Sequence, residues 1–111
     1  MKNYEDLKRI GEKAVEAIKK THGRDYISGA AIETIYPSSG SSRDYVYENY
    51  NIPIVFTIEM RGPKDSPNLF ILPAEEIKPT AEEILNSFVA VFKEARQLGY
   101  FEKKRFIRSI E

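Results

Sequence analysis

Cysteine is absent from this sequence of 111 residues, and histidine occurs once. Without cysteine there is no disulfide framework, no thiolate nucleophile and no cysteine-based zinc site. A single histidine also leaves little for a metal centre or for histidine-based acid–base catalysis. We interpret that residue, His22, as a solvent-facing turn residue rather than as a metal ligand.

An excess of either charge is also missing, because 17 basic residues balance 17 acidic ones. We therefore expect neither nucleic acid nor a membrane surface as a partner. No apolar run approaches the ~20 residues of a membrane span. The first residues lack the apolar core of about 7–15 residues that a signal peptide needs, and the compartment stays unknown. A hydrophobic content of 41% and an aromatic content of 12% are typical of one small globular domain.

The first predicted helix runs from about Tyr4 to Thr21. Its apolar residues recur at the spacing of one helical face. Asn3 is the predicted N-cap, and Gly23 is predicted to end the helix.

The last helix is predicted from a capping box formed by Thr80 and Glu83, and Gly99 closes it as the residue after the C-cap. The apolar stripe of this helix predicts core packing, above all for Phe88 and Phe92. It comprises Ile84, Leu85, Phe88, Val89, Phe92, Ala95 and Leu98.

The middle of the chain is rich in turn-forming residues. A run of proline, serine and glycine at 37–42 is predicted to interrupt regular secondary structure. A short helix is predicted after it, over 44–48. Residues 52–60 predict a strand that is apolar on both faces. Such a strand needs neighbouring strands and covering helices, which indicates part of a larger sheet.

Four blocks of residues carry a resemblance to a known family. They read IYPSSGSSRDY at 35–45, FTIEMR at 56–61, FILPA at 70–74 and IKPTAEE at 77–83. Their order and spacing resemble the C-terminal part of the zinc metallocarboxypeptidases of the carboxypeptidase A/B type, over about residues 3–98, with 99–111 as a tail. The resemblance implies an α/β fold. This chain would be a single, incomplete peptidase-like domain with a partial mixed β-sheet flanked by helices.

The resemblance also implies roles for individual residues. Glu59 matches the family's catalytic glutamate, which takes a proton from zinc-bound water and later delivers it to the leaving amine. Tyr36 matches the tyrosine of a loop that closes over the substrate, and Phe70 matches an aromatic residue beside the cleft. The pocket for the C-terminal side chain would be lined by Ile35, Ser38, Ser41, Arg43 and Thr57.

Arg43 implies a preference for substrates with a C-terminal Glu or Asp, because a guanidinium group complements a carboxylate. The alternative is a surface arginine that pairs with Asp44 or Glu48. Glu59 also has an alternative role, as a strand-end carboxylate paired with Arg61 or with the lysine at position 64.

The chain departs from the family pattern at several points. Ser41 stands where many members have a second glycine, Tyr45 replaces a common tryptophan, and one extra residue lies between Tyr45 and Phe56. The family's zinc ligands lie upstream of the matched segment, and no zinc ligands are identifiable in this chain. General-base catalysis alone gives about 10²–10⁴-fold, against the ~10⁶-fold or more that is typical of enzymes. We therefore expect the isolated chain to be inactive.

A second interpretation is a non-catalytic peptide-binding or interaction module derived from a carboxypeptidase, and a third is a remnant that does not fold stably. In either of the first two cases the expected partners are peptide or protein C-termini. The chain is also expected to associate through exposed strand edges, or with the missing part of the domain. The family resemblance suggests secretion.

Overall fold

Three α-helices provide most of the regular structure in the computed structural model, which describes residues 3–30, 41–61 and 72–102. They are α1 (Tyr4–His22), α2 (Ser42–Tyr50) and α3 (Ile77–Gln97), and a 3-10 turn over Ala74–Glu76 leads into α3. Helices α1 and α3 pack against each other and form the core. The buried apolar side chains are Leu7, Ile10, Ile18, Ile84 and Ala95. Within these ranges, no helix has the length and hydropathy that crossing a bilayer requires.

The two ends of α1 are stabilised in different ways. Gly23 ends the helix in the left-handed region, with φ of 73°, as predicted. Asn3 is the N-cap residue, as predicted, but its side chain makes no capping hydrogen bond. Its amide instead donates to the Pro53 carbonyl at 2.7 Å and to the Tyr100 hydroxyl at 3.0 Å. Asn3 therefore joins the start of α1 to two distant parts of the chain.

The short helix α2 confirms the prediction of a helix after the serine-rich run, and it extends the predicted bounds at both ends. Ser41 is its N-cap, because the Ser41 hydroxyl accepts a hydrogen bond from the Asp44 N–H at 3.2 Å. Asn51 ends the helix in the left-handed region, with φ of 53°.

Helix α3 begins at Ile77, three residues before the predicted start, so the predicted capping box is wrong. Thr80 lies within the helix and donates its hydroxyl to the Glu76 carbonyl at 2.6 Å. Glu83 is fully buried and takes no part in capping. Pro79 permits this early start, because the first turn of a helix does not need the N–H that proline lacks.

The end of α3 confirms the predicted glycine stop. Gly99 has φ of 86°. Its N–H bonds to the Arg96 carbonyl, and the Tyr100 N–H bonds to the Ala95 carbonyl, each at 3.0 Å. This pair of bonds is a Schellman motif, which satisfies the last carbonyls of the helix.

The buried face of α3 includes two residues of the predicted apolar stripe, Ile84 and Ala95, but not the two phenylalanines. Phe88 and Phe92 are 45% and 61% exposed, so their predicted place in the core is wrong. Apolar residues surround α3 on more than one side, and α1 covers only one of them. The covered side holds Thr80, Glu83, Ile84, Ser87, Glu94 and Ala95.

The predicted partial mixed β-sheet is also wrong for the part of the chain that the structure describes, where no strand is found. Residues 52–60 have no regular secondary structure there, and Ile52, Phe56, Ile58 and Met60 are exposed. A strand needs a partner for its N–H and C=O groups, and the described ranges supply none. The expected association through strand edges stays a prediction.

Gly11 lets α1 approach the segments that follow it. A Cβ atom added at Gly11 would overlap the Ser28 hydroxyl oxygen and lie 3.5 Å from a ring carbon of Phe56. Only a residue without a side chain fits this approach unless Ser28 shifts. Gly11 thus brings α1 against two segments that form the cavity described next.

Candidate functional site

A cavity of about 500 Å³ opens between helices α1 and α3 and the segments at 24–29 and 56–61. This volume is in the range of small-molecule binding sites. Three guanidinium groups and two carboxylates lie among its otherwise largely apolar walls. The lining residues are Gly11, Ala14, Val15, Ile18, Arg24, Asp25, Tyr26, Ile27, Ser28, Gly29, Arg43, Phe56, Thr57, Ile58, Glu59, Arg61, Ser87 and Val91.

Three of the residues that the sequence singled out line this cavity together. They are Glu59, Arg43 and Thr57, which come from two segments of the chain. Ser41, the fourth one described, is instead the N-cap of α2 and is not among the lining residues. The other four, Ile35, Tyr36, Ser38 and Phe70, lie outside the described residues.

Glu59 is exposed to solvent at the cavity and does not sit at the end of a buried strand as expected. Glu59 is exposed because residues 52–60 pair with no strand among the described residues. The guanidinium of Arg61, one candidate ion-pair partner of Glu59, binds Glu76 and Glu83 instead. The other candidate, the lysine at position 64, lies outside the described residues.

Arg43 lies at the cavity and also contacts Asp44, one of its two predicted ion-pair partners. Its side chain is 20% exposed and lines the cavity, and its Nε lies 3.3 Å from the Asp44 carboxylate. Asp44 is itself one-third exposed, and such partly exposed ion pairs contribute little stability. The contact with Asp44 therefore holds the Arg43 guanidinium only weakly.

A network around Arg61 was missed by the sequence analysis. The Arg61 Nη1 donates to Glu76 Oε2 at 2.7 Å, and its Nη2 donates to Glu83 Oε1 at 2.8 Å. The Tyr26 hydroxyl donates to Glu83 Oε2 at 3.1 Å and accepts from the Arg61 backbone N–H at 2.7 Å. The network joins three separate segments: the loop after α1, the segment at 56–61 and α3.

Burial makes this network energetically important. The Arg61 side chain is 6% exposed and the Glu83 side chain is 0% exposed. Buried charges are tolerated when they are paired and hydrogen-bonded, and removing one partner leaves the other unpaired. Arg61 Nε has no hydrogen-bond partner among the described residues, although it is buried. Arg24 adds a second guanidinium 3.9 Å from Glu76.

One sequence signal could have revealed Glu83. Thr80, Glu83 and Ser87 recur at three- and four-residue spacing, which puts them on one helical face. The capping-box interpretation assigns Glu83 to the helix terminus instead. Arg61 was considered only as a partner for Glu59.

Stability at alkaline pH should depend on Tyr26. Burial raises the pKa of Tyr26 above its ordinary value of 10.0, the Arg61 N–H lowers it, and the charge of Glu83 raises it further. Because the folded chain disfavours the phenolate, this contribution is complete below pH 10 and is lost as pH rises through the folded pKa.

Urea unfolding between about pH 8 and 11 tests this dependence. The free energy of unfolding should fall more steeply with pH for the unaltered chain than for Tyr26→Phe. Equal slopes would show that Tyr26 does not titrate differently in the two states.

No metal centre is apparent in the described ranges, where no three His, Cys, Asp or Glu side chains form a group that could hold an ion. His22 is the last residue of α1, and its Nε2 lies 3.9 Å from the Glu82 carboxylate.

Comparison with known proteins identifies relatives. A profile of the zinc carboxypeptidase family matches residues 1–87. The chain is 46% identical, over 99 residues and 89% of its length, to a zinc carboxypeptidase of Simulium vittatum. It is 39% identical over 102 residues, 92% of its length, to zinc carboxypeptidase A 1 of Anopheles gambiae. It is 35% identical over 99 residues, 89% of its length, to carboxypeptidase O of Bos taurus.

The matched regions make up 32%, 24% and 26% of these three relatives, respectively. The chain therefore spans about a quarter to a third of the length of the curated relatives it matches.

Proposed function

Because this chain belongs to the zinc carboxypeptidase family, we propose that it supplies the general base and the side-chain selector of a peptidase that removes C-terminal residues. Glu59 is the base and Arg43 is the selector. The observation that supports this proposal is that Glu59, Arg43 and Thr57 line one cavity. Its volume of about 500 Å³ is sufficient for an amino-acid side chain with its flanking backbone.

The Glu59 carboxylate accepts a proton from the attacking water and then donates it to the amine that leaves. Its exposure at the cavity gives water direct access to it. Proton transfer to a positioned carboxylate contributes about 10²–10⁴-fold to a rate.

The Arg43 guanidinium binds the carboxylate side chain of a C-terminal Glu or Asp. A guanidinium offers two parallel N–H groups to a carboxylate, so the pair is both strong and directional. An aromatic or aliphatic side chain would leave this charge without a partner in the bound state, which lowers its affinity.

The described residues do not fit the zinc that gives the family its name, since no three potential ligands are grouped there. The proposed contribution of this chain is limited to proton transfer at Glu59 and to recognition at Arg43.

The isolated chain should release no detectable C-terminal residue on the time scale of an enzyme assay. A positioned base supplies only about 10²–10⁴-fold, well short of typical enzymatic accelerations. Release of Glu from a peptide with a C-terminal Glu, followed by mass spectrometry with and without added Zn²⁺, measures this. Release that a Glu59→Gln variant abolishes would show that the chain is active alone.

A peptide-binding module is the second candidate function. Two observations favour it. Charged groups line the cavity, and the described residues contain no group of side chains that could hold a metal ion. Calorimetric titration of the isolated chain with peptides that end in Glu, or in Glu amide, distinguishes the two. Selective binding without hydrolysis supports the module.

Selectivity is best tested in a chimera, in which the matched 99 residues of this chain replace the corresponding segment of the Simulium vittatum zinc carboxypeptidase. We call this protein the chimera. Its kcat/KM should be about tenfold to a hundredfold higher for C-terminal Glu than for C-terminal Phe, the range of a charge-assisted contact. Arg43→Ile should reverse the order, whereas Arg96→Ile on the exposed side of α3 should preserve it. Equal rates for both substrates in the unaltered chimera would refute the role of Arg43.

A further inference from the structure

The segment that carries Glu59 is attached at both of its ends. The Pro53 carbonyl accepts a hydrogen bond from the Asn3 side chain at 2.7 Å, and the Arg61 N–H donates to the Tyr26 hydroxyl at 2.7 Å. Two residue steps of extended chain span at most about 7 Å. The Cα of Glu59 therefore stays within that distance of the Arg61 backbone, and the attachment of Arg61 limits where Glu59 can lie.

Arg61 is attached through a closed ring of hydrogen bonds. Its backbone N–H donates to the Tyr26 hydroxyl, and that hydroxyl donates to one oxygen of Glu83. The other oxygen of Glu83 accepts from the Arg61 guanidinium at 2.8 Å. Both the backbone and the side chain of one residue are thus bound to the same carboxylate, directly or through one hydroxyl.

The ring is anchored in the core. Glu83 is 0% exposed and lies on α3, the helix that packs against α1. Tyr26 is partly buried and follows the end of α1 by four residues. Hydrogen bonds in such surroundings are protected from competing water, so they hold their geometry more firmly than exposed ones do.

We propose that Tyr26 and Glu83 are positioning residues, which fix the Glu59 carboxylate at the cavity through their joint hold on Arg61. This inference rests on the proposed role of Glu59 as the base. A displacement of about 1 Å in a reacting group can lower a rate by about a hundredfold. An ion pair that served stability alone would not require the backbone N–H of Arg61 to join the ring.

The first experiment uses the 111-residue chain and needs no activity. Amide hydrogen exchange is measured by NMR for the unaltered chain, for Tyr26→Phe, which removes the hydroxyl and keeps the ring, and for Tyr50→Phe, which removes an exposed hydroxyl on α2. In Tyr26→Phe, the protection of the Arg61 amide should fall about tenfold relative to the amides of Ile10 and Ala95. The Glu59 amide resonance should shift, and Tyr50→Phe should change neither.

The pattern of exchange separates positioning from general stability. If every amide of Tyr26→Phe loses protection by the same factor, or if the Arg61 amide is unaffected, the inference is wrong. Should Tyr26→Phe not fold, Glu83→Gln replaces it, because it keeps the shape of the side chain and removes the charge. Its matched control is the exposed Glu82→Gln, and the same local loss at Arg61 is expected.

The second experiment measures catalysis in the chimera. Tyr26→Phe should lower kcat by about tenfold to a hundredfold and leave KM within about twofold, because the base moves while the proposed contact of Arg43 with the substrate remains. A change in KM alone, or no change in kcat, would overturn the inference. If the unaltered chimera does not hydrolyse peptides, the proposed function is wrong. The hydrogen-exchange experiment on the 111-residue chain then tests independently whether Tyr26 and Glu83 hold Arg61 and the segment with Glu59 in place.

Discussion

Replacing Glu59 by Gln in the chimera should lower kcat by about 10²–10⁴-fold, the range expected for the loss of a general base. The amide keeps the size of the side chain but cannot accept and return a proton at neutral pH. Zinc content and the binding of a C-terminal peptide should be preserved, because Glu59 is proposed to move a proton rather than to hold the metal or the substrate. Single-turnover kinetics, metal analysis and calorimetry measure these three quantities.

Glu48→Gln is the matched control for this prediction, since Glu48 is an exposed carboxylate on α2 that does not line the cavity. Its kcat should equal that of the unaltered chimera. Turnover by Glu59→Gln within threefold of the unaltered protein would remove Glu59 from the role of base.

The second large effect concerns stability. Arg61→Met should lower the free energy of unfolding of the 111-residue chain by about 3–5 kcal/mol, because it leaves the buried carboxylate of Glu83 without its cation. Small domains have about 5–15 kcal/mol of stability in total, so this variant should unfold at a much lower urea concentration. Urea unfolding followed by circular dichroism measures the midpoint and the slope.

Two comparison variants make this prediction specific. Arg96→Met removes an exposed arginine from the last turn of α3 and should cost no more than about 1 kcal/mol. The double variant Arg61→Met/Glu83→Met should recover much of the loss, because it leaves no unpaired charge in the interior. Glu76 also loses Arg61, but its side chain is one-third exposed and can be hydrated. If Arg61→Met and Arg96→Met cost the same, the Arg61–Glu83 pair does not contribute as described.

The candidate site was predicted in part. Glu59, Arg43 and Thr57 were singled out from a resemblance between short blocks of sequence, and the structure brings all three to one cavity. The sequence did not predict the hydrogen bonds by which Arg61, near Glu59, binds Tyr26 and Glu83. Tyr26 lies 35 residues before Arg61, and Glu83 lies 22 residues after it. No local pattern relates residues so far apart, since only folding brings them together.

The sequence by itself determined the features that depend on neighbouring residues. The glycine stops at Gly23 and Gly99 and the presence of a helix after the serine-rich run all follow from local backbone preferences and hydrogen bonds. Family membership was also readable from the sequence, because it rests on the order of short motifs and not on contacts between them.

Only the tertiary structure decided which of several acceptable local choices is realised. Asn3 could cap α1, but its side chain bonds to distant groups; Glu83 could cap α3, but it pairs with Arg61 in the interior. Residues 52–60 have the composition of a strand, but a strand also needs pairing partners, which the described residues do not provide. In each case the deciding energy comes from a partner far away in the sequence, so the residue's own neighbourhood could not determine the outcome.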